Sequence, residues 1–159
     1  VGDTEPPAAE ILVVRGVVET GDQRGRVLGF PTANLGLADE AGETGEGVWA
    51  GWVLRADGQP HPAAVSVGRR PTYYGSAGLR LVEAHLLDFS GDLYGETLVV
   101  LLMRRLRSQE AFESSEALIE ALTRDVENAK DWLGSHPAPH LTDDQLRIGP
   151  NRLVGVRVG

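Results

Sequence analysis

Thr32 and Asn34 stand two residues apart at the end of the stretch Gly21-Asp22-Gln23-Arg24-Gly25-Arg26-Val27-Leu28-Gly29-Phe30-Pro31-Thr32-Ala33-Asn34. In extended chain both side chains point to one face. A hydroxyl and a carboxamide oxygen are hard donors of the kind Mg2+ accepts beside a polyphosphate. The glycines at every fourth position before them let backbone N–H groups approach a ligand, and successive amides can cradle an anion. The same spacing also fits a surface loop closed by a proline turn. Glu83 is the second residue of interest, a carboxylate in the middle of the largely apolar run Arg80–Phe89. Carboxylates are rarely buried without a partner. Partial burial raises a carboxyl pKa and suits it to general-base work near neutral pH. The alternative is a solvated strand face on which Glu83 pairs with an arginine such as Arg80.

Other candidates are less pointed. His85 shares a strand face with Glu83 and reads as a hydrogen-bonded structural histidine. His136 and His140 are four apart, but Pro137 and Pro139 prevent the helix that would bring them together, so zinc is not expected there. Arg107 and Phe112 bracket the link between a strand and a helix. A guanidinium can bind phosphate or stack on a flat ring, and Phe can stack too. The bland reading is a snorkelling Arg and a core Phe that anchors the helix.

Composition narrows the classes. A chain of 159 residues with 42% hydrophobic residues suits one domain with a sizeable core. A net charge of −8 argues against a general nucleic-acid binder. No apolar run is long enough to cross a bilayer, and no signal peptide is evident. The absence of cysteine excludes disulfides and thiolate metal sites and fits a cytoplasmic location. Fourteen of the fifteen basic residues are Arg, so lysine chemistry would have to use Lys130, in an expected helix. Neither a P-loop nor a G-x-G-x-x-G fingerprint is present.

The elements that must position these residues follow from periodicity. Strands are expected at Ile11–Val18, Val48–Leu54, Pro62–Val67, Arg80–Phe89 and Thr97–Met103, with a hairpin turn at Asp57-Gly58. Val82, Ala84 and Leu86 share one face of the fourth, opposite Glu83 and His85. The fifth is apolar throughout, as befits a strand buried on both faces. Ser114–Leu133 reads as a helix whose core stripe is Leu118, Leu122, Val126, Ala129 and Leu133, with Ser114 or Ser115 as its cap. Leu153–Val158 is either an edge strand or a loose tail. Strands followed by one late helix argue for an antiparallel barrel or sandwich with a helix at one end.

Several ordered motifs carry a resemblance. They are Gly-Arg-Val-Leu-Gly-Phe-Pro-Thr-Ala-Asn (25–34), Gly-Val-Trp-Ala-Gly (47–51), Ala-Val-Ser-Val-Gly-Arg-Arg-Pro-Thr (64–72), Val-Glu-Ala-His-Leu-Leu-Asp-Phe (82–89), Gly-Asp-Leu-Tyr-Gly (91–95) and Leu-Arg-Ser-Gln-Glu-Ala-Phe-Glu-Ser (106–114). From about Arg15 to Leu133 the chain resembles riboflavin kinase, including the kinase module of bacterial bifunctional FAD synthetases. The resemblance implies a mainly β fold, a six-stranded antiparallel Greek-key β-barrel with one C-terminal α-helix packed on it. It implies transfer of the ATP γ-phosphoryl group to the riboflavin 5′-hydroxyl, giving FMN and ADP. By position, it makes Glu83 the catalytic base and Thr32 and Asn34 the Mg2+ contacts. Gly21 and Arg26 would hold the nucleotide phosphates, Leu93 would help seat the adenine, and Arg107 and Phe112 would face the flavin. The expected partners are riboflavin and ATP, with neither nucleic acid nor membrane. The adenylyltransferase domain of bacterial relatives is not expected within these residues, so the resemblance implies a cut-out module or a stand-alone kinase that would yield FMN rather than FAD. The expected organisation is a flexible segment 1–9, a barrel plus helix over 10–134, and a tail over 135–159. A non-catalytic flavin- or nucleotide-binding regulatory module on the same barrel is the alternative, and an FMN-binding barrel of the oxidase type is a third reading.

Overall fold

The computed structural model describes residues 9–19, 32–38, 44–69 and 80–158. They form β1 (Ala9–Val17), β2 (Ala33–Gly36), β3 (Gly47–Leu54), β4 (Pro60–Arg69), β5 (Arg80–Leu86), β6 (Thr97–Arg107), α1 (Ser115–Leu133), the short α2 (Asp143–Leu146) and β7 (Val154–Val158). One antiparallel sheet has the order β2-β5-β4-β3-β6-β1-β7. The described strands thus number seven rather than six. The extra one is the edge strand β7, which pairs with the first half of β1.

The sheet curls until β2 returns beside β1. Glu19 and Asn34 form an antiparallel bridge there, with the Glu19 N–H donating to the Asn34 carbonyl at 2.8 Å. The C-terminal segment ties the same seam. The Asn151 N–H donates to the Arg15 carbonyl at 2.7 Å, and the Asn151 carbonyl accepts from the Ala38 N–H at 2.8 Å. Asn151 has φ 62°, a left-handed conformation that Asn tolerates better than most residues. Gly16 leaves room for it, since a Cβ there would lie 2.9 Å from the Asn151 Oδ1.

Strand alternation sorts the apolar residues into separate layers. Val14, Leu35, Val65, Val82, Val100 and Leu102 fill the barrel interior. On the outer side of β1 and β6, Ile11, Val13 and Leu101 pack against Leu141 and Val156 of the C-terminal segment. Over β3 and β4, Ala50 and Ala64 lie beneath Ala129 and Leu133 of α1. β6 therefore has apolar neighbours on both faces, as its unbroken run of Leu and Val predicts. Gly51 marks an irregularity in the β3–β6 ladder, where a Cβ would lie within 2.3 Å of the Leu101 carbonyl oxygen.

Ser114 caps α1, its Oγ accepting from the Ala117 N–H at 3.1 Å. The buried stripe of α1 differs from the expected one. Ala121, Asp125, Ala129 and Leu133 are buried, whereas Leu118, Leu122 and Val126 are half-buried on its flank. Small residues face the small surface of Ala50 and Ala64 and let the helix approach closely, and a charge partner draws Asp125 inward. The largest shifts of strand ends are in β5 and β6. β5 stops at Leu86, before a turn in which Asp88 has φ 53°, and β6 runs on past Met103 to Arg107. Among the described residues no helix is long and apolar enough to cross a membrane.

Candidate active site

The ladders carry one row of residues across the sheet. Asn34 of β2 is opposite Glu83 of β5, Glu83 is opposite Ser66 of β4, Ser66 is opposite Val48 of β3, and Val48 is opposite Arg107 of β6. Directly opposed residues project to the same face, with Cβ atoms about 4.5–5.5 Å apart. Their strand neighbours Ala33, Leu35, Val82, Ala84, Val65 and Val67 fill the barrel, so this row lies on the outside. Asn34 is only 7% exposed, and Glu83 and Ser66 are half-buried. Thr32 is the residue just before β2 and is half-buried. A carboxamide and a carboxylate therefore stand opposite each other on two neighbouring strands, although Asn34 and Glu83 are far apart in sequence.

Arg80 stands on the other side of β5 from Glu83. It shares the buried side with Val82, Ala84 and Leu86, and its Nη2 donates to the Thr44 carbonyl. His85 is half-buried on the Glu83 side, opposite Ala64.

Past the row, β6 leads through a linker, 108–114, into α1. Arg107 makes a forked ion pair with Asp125, Nε to Oδ1 at 2.8 Å and Nη2 to Oδ2 at 2.7 Å. The hydrogen-bonded Asp125 carboxylate holds the guanidinium above its ordinary range, against the opposing effect of burial. The Arg107 Cζ also lies 5.6 Å from the centroid of the Phe112 ring. The sequence offers both residues as ligand contacts or as helix anchors. In the structure the fork is engaged by the helix and stacked with Phe112. Gln109, from the same linker, donates through Nε2 to the Ser66 Oγ at 2.7 Å and to the Val67 carbonyl at 3.0 Å, and reaches the Gly47 carbonyl at 3.4 Å.

Leu93 is 8% exposed and packs into the barrel core. Its turn is pinned beside the end of β1, with the Gly95 N–H on the Val18 carbonyl at 3.0 Å and the Val18 N–H on the Glu96 carbonyl at 2.9 Å. Val18 adjoins Glu19, which bridges to Asn34, so this turn neighbours the start of the polar row. Arg55 and Glu96 brace it with a second forked pair, at 2.8 and 3.0 Å. Gly21 and Arg26 lie outside the described residues. Lys130, the one lysine, pairs with Asp88 at 3.2 Å on the exposed flank of α1. His136 stacks on Trp132 with ring centroids 3.8 Å apart, and its Nδ1 lies 2.8 Å from the Trp132 carbonyl. No group of three or more His, Cys, Asp or Glu that could hold a metal occurs among the described residues.

Sequence reasoning passed over Ser66, Gln109 and Asp125. Ser66 had a faint signal, a hydroxyl at an alternating position in a strand of small apolar residues. Asp125 lies beside the expected apolar stripe and, as a carboxylate, gives no sign that it is buried. Gln109 carries no signal at all.

Comparison with known proteins extends these observations. The flavokinase (riboflavin kinase) family profile matches residues 9–133. The bifunctional riboflavin kinase/FMN adenylyltransferase of Escherichia coli (strain K12) is 38% identical over 124 residues, covering 77% of this chain and 38% of that protein. The chain thus spans well under half the length of that curated relative. A crystal structure described as a macrolide-efflux protein from Streptococcus pneumoniae superposes with a TM-score of 0.66 at 36% identity, over 76% of this chain and 38% of that one. The riboflavin kinase of Trypanosoma brucei superposes with a TM-score of 0.55 at 26% identity, over 80% of this chain and 83% of that one. The profile begins with β1, ends with the last residue of α1 and takes in every residue of the polar row, and on that ground the chain belongs to the riboflavin kinase family.

Proposed function

We propose that this chain is a riboflavin kinase, which transfers the ATP γ-phosphoryl group to the riboflavin 5′-hydroxyl and releases FMN and ADP. The observation that carries the reading is the pairing of Asn34 with Glu83 on the outer face of the sheet, in a row that ends at Arg107 of β6, against Phe112 of the following linker. Phosphoryl transfer asks a protein mainly for positioning and charge neutralisation. Glu83 accepts the proton of the 5′-hydroxyl as that oxygen forms its bond to the γ-phosphorus. The bond from the γ-phosphorus to the β,γ-bridging oxygen breaks, and ADP carries away the electron pair. Glu83 then loses its proton to solvent.

Thr32 and Asn34 would hold Mg2+. Two neutral hard oxygens, one on a buried carboxamide, suit an ion that takes most of its remaining ligands from phosphate and water. Bound there, the ion would offset charge on the phosphates. Gly21 and Arg26 are assigned to the nucleotide phosphates and Leu93 to the adenine end. With the Arg107 fork engaged by Asp125, the Arg107–Phe112 stack offers the flavin a flat surface rather than a free charge. The barrel and α1, 10–134, form the catalytic unit, and the C-terminal segment through residue 158 covers the outer side of β1 and β6.

The test is to incubate the chain with riboflavin, ATP and Mg2+ and separate the flavins chromatographically. ATP-dependent FMN is expected. Flavin binding without FMN would favour the non-catalytic module and overturn the proposal.

A further inference from the structure

Gln109 joins the flavin-side linker to the polar row. Its amide nitrogen meets one hydroxyl and two backbone carbonyls. The carbonyls can only accept, so the –NH2 end is the one that faces them. A glutamate here would aim a carboxylate at two carbonyl oxygens. Gly68 belongs to the arrangement, since a Cβ there would stand 3.0 Å from the Gln109 Nε2. The amide thus fixes the linker to β3 and β4 between Arg107 and Phe112.

The Ser66 hydroxyl has one hydrogen and two lone pairs. Gln109 occupies a lone pair at 2.7 Å, which limits how the hydroxyl can turn. Its hydrogen remains to be donated, and the side chain directly across the ladder is Glu83. We propose that Gln109 and Ser66 are positioning residues for Glu83. Gln109 sets the Ser66 hydroxyl, Ser66 orients the carboxylate when riboflavin is bound, and the same amide holds the Arg107–Phe112 linker beside the base. This rests on the reading of Glu83 as the base.

The experiment measures steady-state kinetics of FMN formation for S66A, S66T, Q109M and E83Q, and for S66A in the E83Q background. S66A and Q109M are expected to lower kcat about tenfold, the effect of one hydrogen bond to a charged group, while the KM for ATP stays unchanged. S66T keeps a hydroxyl and suits a strand, so it should restore kcat. An S66A/Q109M double variant, measured alongside, should be no slower than the slower single, because the path from Gln109 to Glu83 runs through the Ser66 hydroxyl. In the E83Q background S66A should cost nothing further. Should Q109M fail to fold, S66A and S66T carry the test, since each changes one small group at a ladder position. Wild-type kcat in S66A, or an equal loss with and without Glu83, overturns the inference and leaves the base reading standing. Wild-type turnover in E83Q overturns the base reading instead.

Discussion

The two flanks of the barrel are covered in different ways. Over β3 and β4, α1 lies on a thin layer of alanines and is locked by the Arg107–Asp125 fork, and the polar row runs beside it. Over β1 and β6, residues 135–158 form an apolar blanket of Leu141, Leu146, Ile148 and Val156, held by backbone bonds at Asn151. A forked ion pair is directional and fixes one orientation. Apolar burial is non-directional and excludes water. The comparison teaches that this fold fixes the helix beside the polar row with a directional charge contact, and covers the other flank mainly by apolar burial tacked down at a few backbone groups.

The largest expected effect separates chemistry from folding. Glu83→Gln should lower kcat on the order of 10²–10⁴-fold and leave riboflavin and ATP binding intact. Calorimetric titration beside the kinetics checks this, and near-normal turnover would remove Glu83 from the base role. On the sealed flank, Leu141→Ala should cost about 2–4 kcal/mol of stability in urea unfolding, because Leu141 is 5% exposed, without altering kcat in the folded fraction. A large kcat change there would erase the distinction between the flanks. On the directional flank, Asp125→Ala strands the Arg107 guanidinium and should cost about 2–3 kcal/mol, less than a fully buried pair because Arg107 keeps some solvent. Unlike Leu141→Ala it should also raise the KM for riboflavin, since the stack with Phe112 loses its anchor.

Smaller effects sharpen the contrast. Asn151→Val places a β-branched side chain at φ 62° and should cost about 1–2 kcal/mol, whereas Asn151→Gly should be close to neutral in the same unfolding assay. The smallest concerns pH. The hydrogen-bonded Arg55 guanidinium holds Glu96 below the usual carboxylate range, with burial acting the other way. Its folded pKa thus lies beneath the unfolded one. The stabilisation is complete above the ordinary Glu range and is lost as pH falls through the lowered value. Glu96→Gln should flatten that acid limb, and an identical pH profile of unfolding would show that the pair contributes nothing.

Much of the molecule follows from local rules. Runs of Val and Leu, the Asp57-Gly58 turn and the alternation of β5 are all legible in the chain, because strand and turn preferences act over a few residues. So is a serine cap at the start of α1, though not the choice of Ser114 over Ser115, and so is the face that Glu83 shares with His85. The motif resemblance to riboflavin kinases was legible too. Other features were decided by pairings between distant segments. The Pro31–Asn34 stretch looked like the end of a loop, yet residues 33–36 form a strand because β5 offers them an open edge. Leu153–Val158 was ambiguous until β1 offered it a partner, and the burial of Asp125, which is outside the expected stripe, follows from its pairing with Arg107 of β6. Side-chain spacing shows which residues share a face of one element. It does not show which elements become neighbours, since that depends on the joint burial of surfaces far apart in sequence, and the row from Asn34 to Arg107 exists only once four separate ladders have formed.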